Sequence, residues 1–142
     1  MNTTVDKLNS FLRGEISAVE TYRQALEKLN DKAEAPTLND CMRSHEGRVQ
    51  LLRQEIRRRG AEPAEGSGPW GAFAKLVEGG AKVFGEKAAI AAVEEGDDHG
   101  RDDYQRDVTE LDAEARSFVE QSIVPEQVRT HRAMSQLKKR LS

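Results

Sequence analysis

The sequence lacks most of what would announce a function. It has one cysteine, Cys41, so no internal disulfide can form, and this fits a reducing compartment better than an oxidising one. Aromatic residues are only 5 % of the 142, so a core must be built mainly from aliphatic side chains. No stretch approaches the roughly 20 apolar residues that cross a bilayer. The opening MNTTVDKLNSFLRGE has no apolar run of the signal-peptide kind. A soluble, cytoplasmic protein with no membrane partner is the expectation. The formal charge of −3 supplies no basic face for nucleic acid. The runs Arg57-Arg58-Arg59 and Lys138-Lys139-Arg140 each close an expected helix, where cations complement the negative end of the helix dipole. No β-branched segment alternates over a strand's length, which leaves an all-α chain.

What is present is helical periodicity. Val5, Leu8, Phe11, Leu12, Val19, Tyr22, Leu26 and Leu29 share one face of a first helix that begins near Thr3 or Thr4, either of which is suited to capping it. The turn NDKAEAP ends it. Pro36 suits the first turn of a second helix running to about Arg59, with Gly60 as its C-terminal cap and Pro63 beyond. A Gly- and Pro-rich crossover follows over 60–85. It contains an amphipathic piece from about Trp70 to Phe84, anchored by Trp70, Phe73, Leu76, Val77 and Val83. A third helix is expected over about Glu86–Val108 and a fourth over about Asp112–Leu141, started, kinked or interrupted by Pro125. Helix pairs over 3–59 and 86–141, joined by a long crossover, describe a single-domain antiparallel four-helix bundle.

The two halves echo one another. Gly14-Glu15 is followed after six residues by Tyr22, and Gly96-Asp97 after six residues by Tyr104. Arg43-Ser44-His45 and Arg129-Thr130-His131 match in the same way, each with Gln-Leu five residues further on. Each half therefore offers one carboxylate and one histidine from neighbouring helices. Glu15 lies on the apolar stripe of Leu8, Leu12, Val19 and Tyr22, and Asp97 on that of Ile90, Val93 and Tyr104. Burying a lone carboxylate is costly unless it is paired or bound to a cation, so the four groups are expected to meet near the middle of the bundle. Gly14, Gly96 and Gly100 cost helix stability, which points to close helix approach or a local bulge beside this layer.

The stretches LNSFLRGEISAVETYRQAL, RSHEGRVQLLRQEIRRRGAEP and EEGDDHGRDDYQRDV, with the Gly-Ser-Gly-Pro-Trp crossover between the second and third, resemble a bacterial ferritin-like family of unknown function. The resemblance implies a ferritin-like four-helix bundle with no assigned activity. Di-iron proteins of that fold use one Glu from each of two helices and Glu-x-x-His from each of the other two. By that pattern Glu15 and Asp97 match the single carboxylates, and His45 and His131 the histidines. The remaining two glutamate positions hold Met42 and Val128, so ferroxidase, oxygenase or peroxidase chemistry is not carried over.

Two readings remain. In the first, Glu15, His45, Asp97 and His131 hold a divalent ion (Fe, Zn or Mn), with Glu94 as an added ligand and Tyr22 and Tyr104 hydrogen-bonded to the ligands. In the second, the same residues form a metal-free buried network in a non-catalytic structural or stress-associated scaffold. Neither includes a catalytic residue. Cys41, one turn before His45, is expected in the core, with a metal contribution beside His45 as the alternative; His99 is expected in solvent, and Glu46 in a salt link to Arg43 or Arg48. A homo-oligomer is a further expectation, with the Trp70–Phe84 piece either a lid on the bundle or part of a dimer interface.

Overall fold

The structure, a computed structural model, describes residues 3–67 and 86–141, and the Trp70–Phe84 piece lies outside them. Helix α1 spans Thr3–Leu29 and α2 spans Ala35–Arg58. Helix α3 spans Glu86–Asp107 and leads into a 3-10 turn, Val108–Glu110. The last rod is α4, Ala113–Phe118, then a π turn, Val119–Ile123, then α5, Val124–Leu141. The described residues contain no strand. No described helix is long and apolar enough to cross a membrane.

The ends follow from local chemistry. Pro36 sits in the first turn of α2, where its missing N–H is not needed. Gly60 closes α2 at φ 77°, its N–H bonding Arg57 O at 2.9 Å while Ala61 N–H reaches Ile56 O at 3.1 Å. Glycine is favoured there because the left-handed conformation crowds a Cβ. Asp112 caps α4 by accepting from Ala115 N–H at 2.8 Å. Thr4, an expected cap for α1, instead accepts the Asp112 N–H at 2.9 Å and ties the start of α1 to the start of the last rod. Pro125 lies just past the wide π turn. Having no N–H to give residue 121 and a ring that crowds that residue's carbonyl, proline is accommodated where the helix is widened.

Helix α1 packs against α2 and α3, and α5 against α2 and α3, closing a four-cornered bundle. Tyr22 meets Asp97 and Glu15 meets Tyr104, so α3 runs antiparallel to α1. Arg59 meets Asp112 and Ser44 meets Glu126, so the last rod runs antiparallel to α2. Helices α2 and α3 consequently run parallel, and their connection must travel the length of the bundle. Its described part runs along α1. Asn9 accepts from Ala64 N–H at 2.7 Å and donates to Glu62 O at 3.2 Å, while Ser67 Oγ donates to Glu20 at 3.3 Å. From Asn9 to Glu20 an α-helix rises about 16 Å, which five extended residues also cover.

The core is divided. One apolar cluster joins Leu8, Phe11, Leu12, Leu52, Ile56 and Ile123 at one end. The other joins Ala25, Leu29, Leu38, Cys41, Ile90 and Met134 at the opposite end. Fully burying such a side chain is worth roughly 1.5–3 kcal/mol, so each cluster holds its end of the bundle together. Between them lies a layer of buried polar groups: Glu15, His45, Arg48, Asp97 and Thr130. Leu26 and Val5, expected on the buried face of α1, are half-buried, and Ala25 takes the inward place.

Candidate functional site

Three of the four expected groups meet in this layer. The His45 ring lies between the two carboxylates. Its Nδ1 donates to Glu15 Oε1 at 2.5 Å, and its Nε2 faces Asp97 Oδ1 at 3.4 Å, an ion-pair contact outside hydrogen-bond geometry. The tyrosines complete the carboxylates crosswise: Tyr22 on α1 donates to Asp97 on α3 at 2.7 Å, and Tyr104 on α3 donates to Glu15 on α1 at 2.6 Å. Ring contacts add packing, with Tyr22 at 5.1 Å from His45 and Phe11 at 4.4 Å from Tyr104.

The fourth member is Arg48, which is 2 % exposed. Its Nη1 donates to Glu15 Oε2 at 3.3 Å, and its Nη2 to Thr130 Oγ1 at 2.7 Å and Ser44 Oγ at 3.2 Å. Arg48 was not singled out from sequence, yet Leu38, Cys41, His45, Arg48 and Leu52 are spaced 3, 4, 3, 4 along one helical face. That spacing was the signal that it points inward. The expected link from Glu46 to Arg48 is therefore not made.

Burial raises the Glu15 pKa, but the charges of Arg48 and His45 and the bonds from His45 and Tyr104 outweigh it and bring the carboxyl down to about 2. For His45, burial and the Arg48 charge oppose protonation. The Glu15 charge, the nearby Asp97 carboxylate and the hydrogen bond to Glu15 win, and its pKa is raised. Burial, then the adjacent carboxylate, pushes each tyrosine hydroxyl well above its usual value, so both stay protonated donors. Burial pushes the Cys41 thiol up to about 12, so it is a packing group and no nucleophile. Two carboxylates thus face one imidazolium and one guanidinium, and the layer neutralises itself.

His131 corrects the expected four-group cluster. It lies at the edge of the inward row Gln127, Thr130, Met134 and Leu137 and leans to α3, where its Nε2 bonds Asp98 Oδ1 at 2.5 Å beside Arg101. The physical reason is helix geometry. Thr130 takes the inward place and accepts from Arg48 at 2.7 Å, so its helix neighbour His131 points about 100° away from the layer. Glu94 is on the rim with Lys138, 3.1 Å away, and is not part of the layer. Val128 is exposed, and His99 lies in solvent as expected.

A cavity of about 30 Å³ adjoins the layer, walled by Gly14, Gly96 and Gly100 and bordered by Glu15, His45 and Arg48. A Cβ on Gly100 would meet nothing within 4 Å, so this glycine opens space and does not serve close helix approach.

A divalent ion needs donors that converge on one point. Here the imidazole separates Glu15 from Asp97, each at a different ring nitrogen, and a guanidinium already sits on Glu15. Among the described residues no three His, Cys, Asp or Glu side chains are grouped to hold a metal. The donor set does not fit the ferritin-type metal. A family model described as a domain of unknown function, DUF2383, matches residues 3–110. No curated protein and no solved structure matches the chain.

Proposed function

The chain belongs to the DUF2383 family, and we propose that it works as a non-catalytic structural bundle of ferritin-like architecture, held in register by its own central ion network. The parallel α2 and α3 with a bundle-length connection support the ferritin-like reading. The observation that carries the functional reading is Arg48. A fully buried guanidinium on Glu15 supplies the positive charge that a metal would otherwise supply. Removing one partner of a buried ion pair strands the other charge, so the layer pairs only in one register of the four helices. The crosswise tyrosine bonds add a second constraint between α1 and α3.

The test is metal analysis of protein purified without a chelating column, followed by thermal melts with Fe(II), Zn(II) or Mn(II). The expected result is substoichiometric metal and an unchanged Tm. A metal that binds the folded chain would raise Tm by mass action. Stoichiometric metal, or a Tm rise that Glu15→Gln abolishes, overturns the reading. Ring-nitrogen NMR of His45 gives an independent readout: both nitrogens protonated below pH 6.5 under this reading, one of them metal-bound under the other.

A further inference from the structure

An open cavity of about 410 Å³ runs along the outer groove between α3 and α5. On the last rod it is lined by Glu120, Val124, Val128, Arg132 and Ser135, a row about 22 Å long at helical rise. Val128 is 45 % exposed, the more exposed of the two large apolar side chains that face solvent among the described residues. Arg132 is exposed and has no ion-pair or hydrogen-bond partner among the described residues. Glu120, at the other end of the row, is 49 % exposed and pairs only with its own neighbour Arg116.

These four positions are self-complementary. Two copies of α5 laid antiparallel about a two-fold axis at the Glu126 turn bring Val124 against Val128 of the partner subunit. The same axis brings Glu120 against Arg132 of the partner subunit, because both pairs share that midpoint in sequence. A two-fold makes each contact twice, giving four valines at the centre and an ion pair at each end. We propose that the α3–α5 groove is a homodimer surface, closed by a second copy of this chain through these residues. Glu120, Val124, Val128 and Arg132 lie outside the buried layer, although Tyr104 of that layer borders the same groove.

Sedimentation velocity and light scattering of the full chain over a concentration series test it. A concentration-dependent dimer is expected. Val128→Glu should weaken the dimer at least about tenfold while leaving the circular dichroism, and the Tm at concentrations where the chain is monomeric, unchanged, because the side chain is already half in water. Arg132→Glu creates two like-charge contacts across the axis and should weaken it similarly. Combining it with Glu120→Lys restores opposite charges and should recover affinity to within a few-fold. A chain that stays monomeric at every concentration overturns the proposal, as it would if the groove held a small molecule or a different protein. A dimer that ignores Val128→Glu, or a charge swap that fails to rescue, overturns it too. A dimer lost on Trp70→Ala but indifferent to Val128→Glu would place the interface on the crossover.

Discussion

His45 and His131 occupy matching places in two similar stretches, RSHEGRVQLL and RTHRAMSQLK, and end in different environments. His45 has a side chain 6 % exposed and lies between two buried carboxylates. His131 is 20 % exposed and pairs with Asp98, itself 40 % exposed. The residue three places on decides the difference. After His45 comes Arg48, which reaches into the layer and fixes Glu15; after His131 comes Met134, which belongs to the apolar cluster. A buried imidazolium needs carboxylates on both nitrogens, and the bundle supplies that once. Similar local sequence gives a keystone in one place and a surface pair in the other.

Breaking the buried member has the largest expected effect. His45→Ala leaves two carboxylates against one guanidinium, and Arg48→Ala leaves Glu15 undercompensated. Loss of one partner of a buried ion pair costs roughly 3–5 kcal/mol, a large part of a domain's stability. Urea denaturation checks this, and a cost below about 1 kcal/mol for both variants would mean that the layer is hydrated and the register argument fails.

The pH dependence sharpens the same contrast. The Glu15 pKa is depressed to about 2, so its contribution is present above its unfolded value of 4.5 and is lost as pH falls towards 2. A shift of that size corresponds to roughly 3 kcal/mol. The His45 pKa is raised, so its contribution is present below 6.5 and is lost as pH rises through the folded value. Maximal stability is therefore expected between about pH 4.5 and 6.5. Glu15→Gln should flatten the acid limb of a Tm-against-pH curve.

Removing a single hydroxyl comes next. Tyr104→Phe deletes the bond to Glu15 and Tyr22→Phe the bond to Asp97. A hydrogen bond to a charged group is worth roughly 1.5–3 kcal/mol, and each ring's packing is retained. If the crosswise arrangement ties α1 to α3 through both bonds, the two losses are similar in size. The double variant should then show whether they couple through the His45 ring.

Helix positions and the antiparallel pairings were legible because period and caps report on a chain's immediate surroundings. Gly60, Pro36 and the inward rows of α1 and α2 needed only local chemistry. Glu15, Asp97 and His45 could be placed in one layer because polar groups on apolar stripes must be neutralised. Two features were not legible that way. Arg48 reads as an ordinary surface cation unless its place in the 3, 4 spacing is given more weight than its charge. The outward turn of His131 depends on which residue of α5 faces Arg48 on α2, a place that Thr130 takes, and neither helix expresses that alone. The Asp97-Asp98 pair shows the same limit, since adjacent residues on a helix point about 100° apart and only the packing says which one goes in.

The smallest expected effect closes the comparison. His131→Ala removes a partly exposed pair whose Asp98 remains solvated and whose Arg101 keeps Asp102 at 3.3 Å. Exposed ion pairs of this kind contribute about 0–1 kcal/mol. Its cost should therefore be several-fold below that of His45→Ala in the same urea measurement. High salt should reduce it further, since exposed charges are screened while the buried layer is screened much less. A loss at His131 as large as that at His45 would mean that both histidines act in one central site. The single-keystone account of this bundle would then give way to the symmetric one.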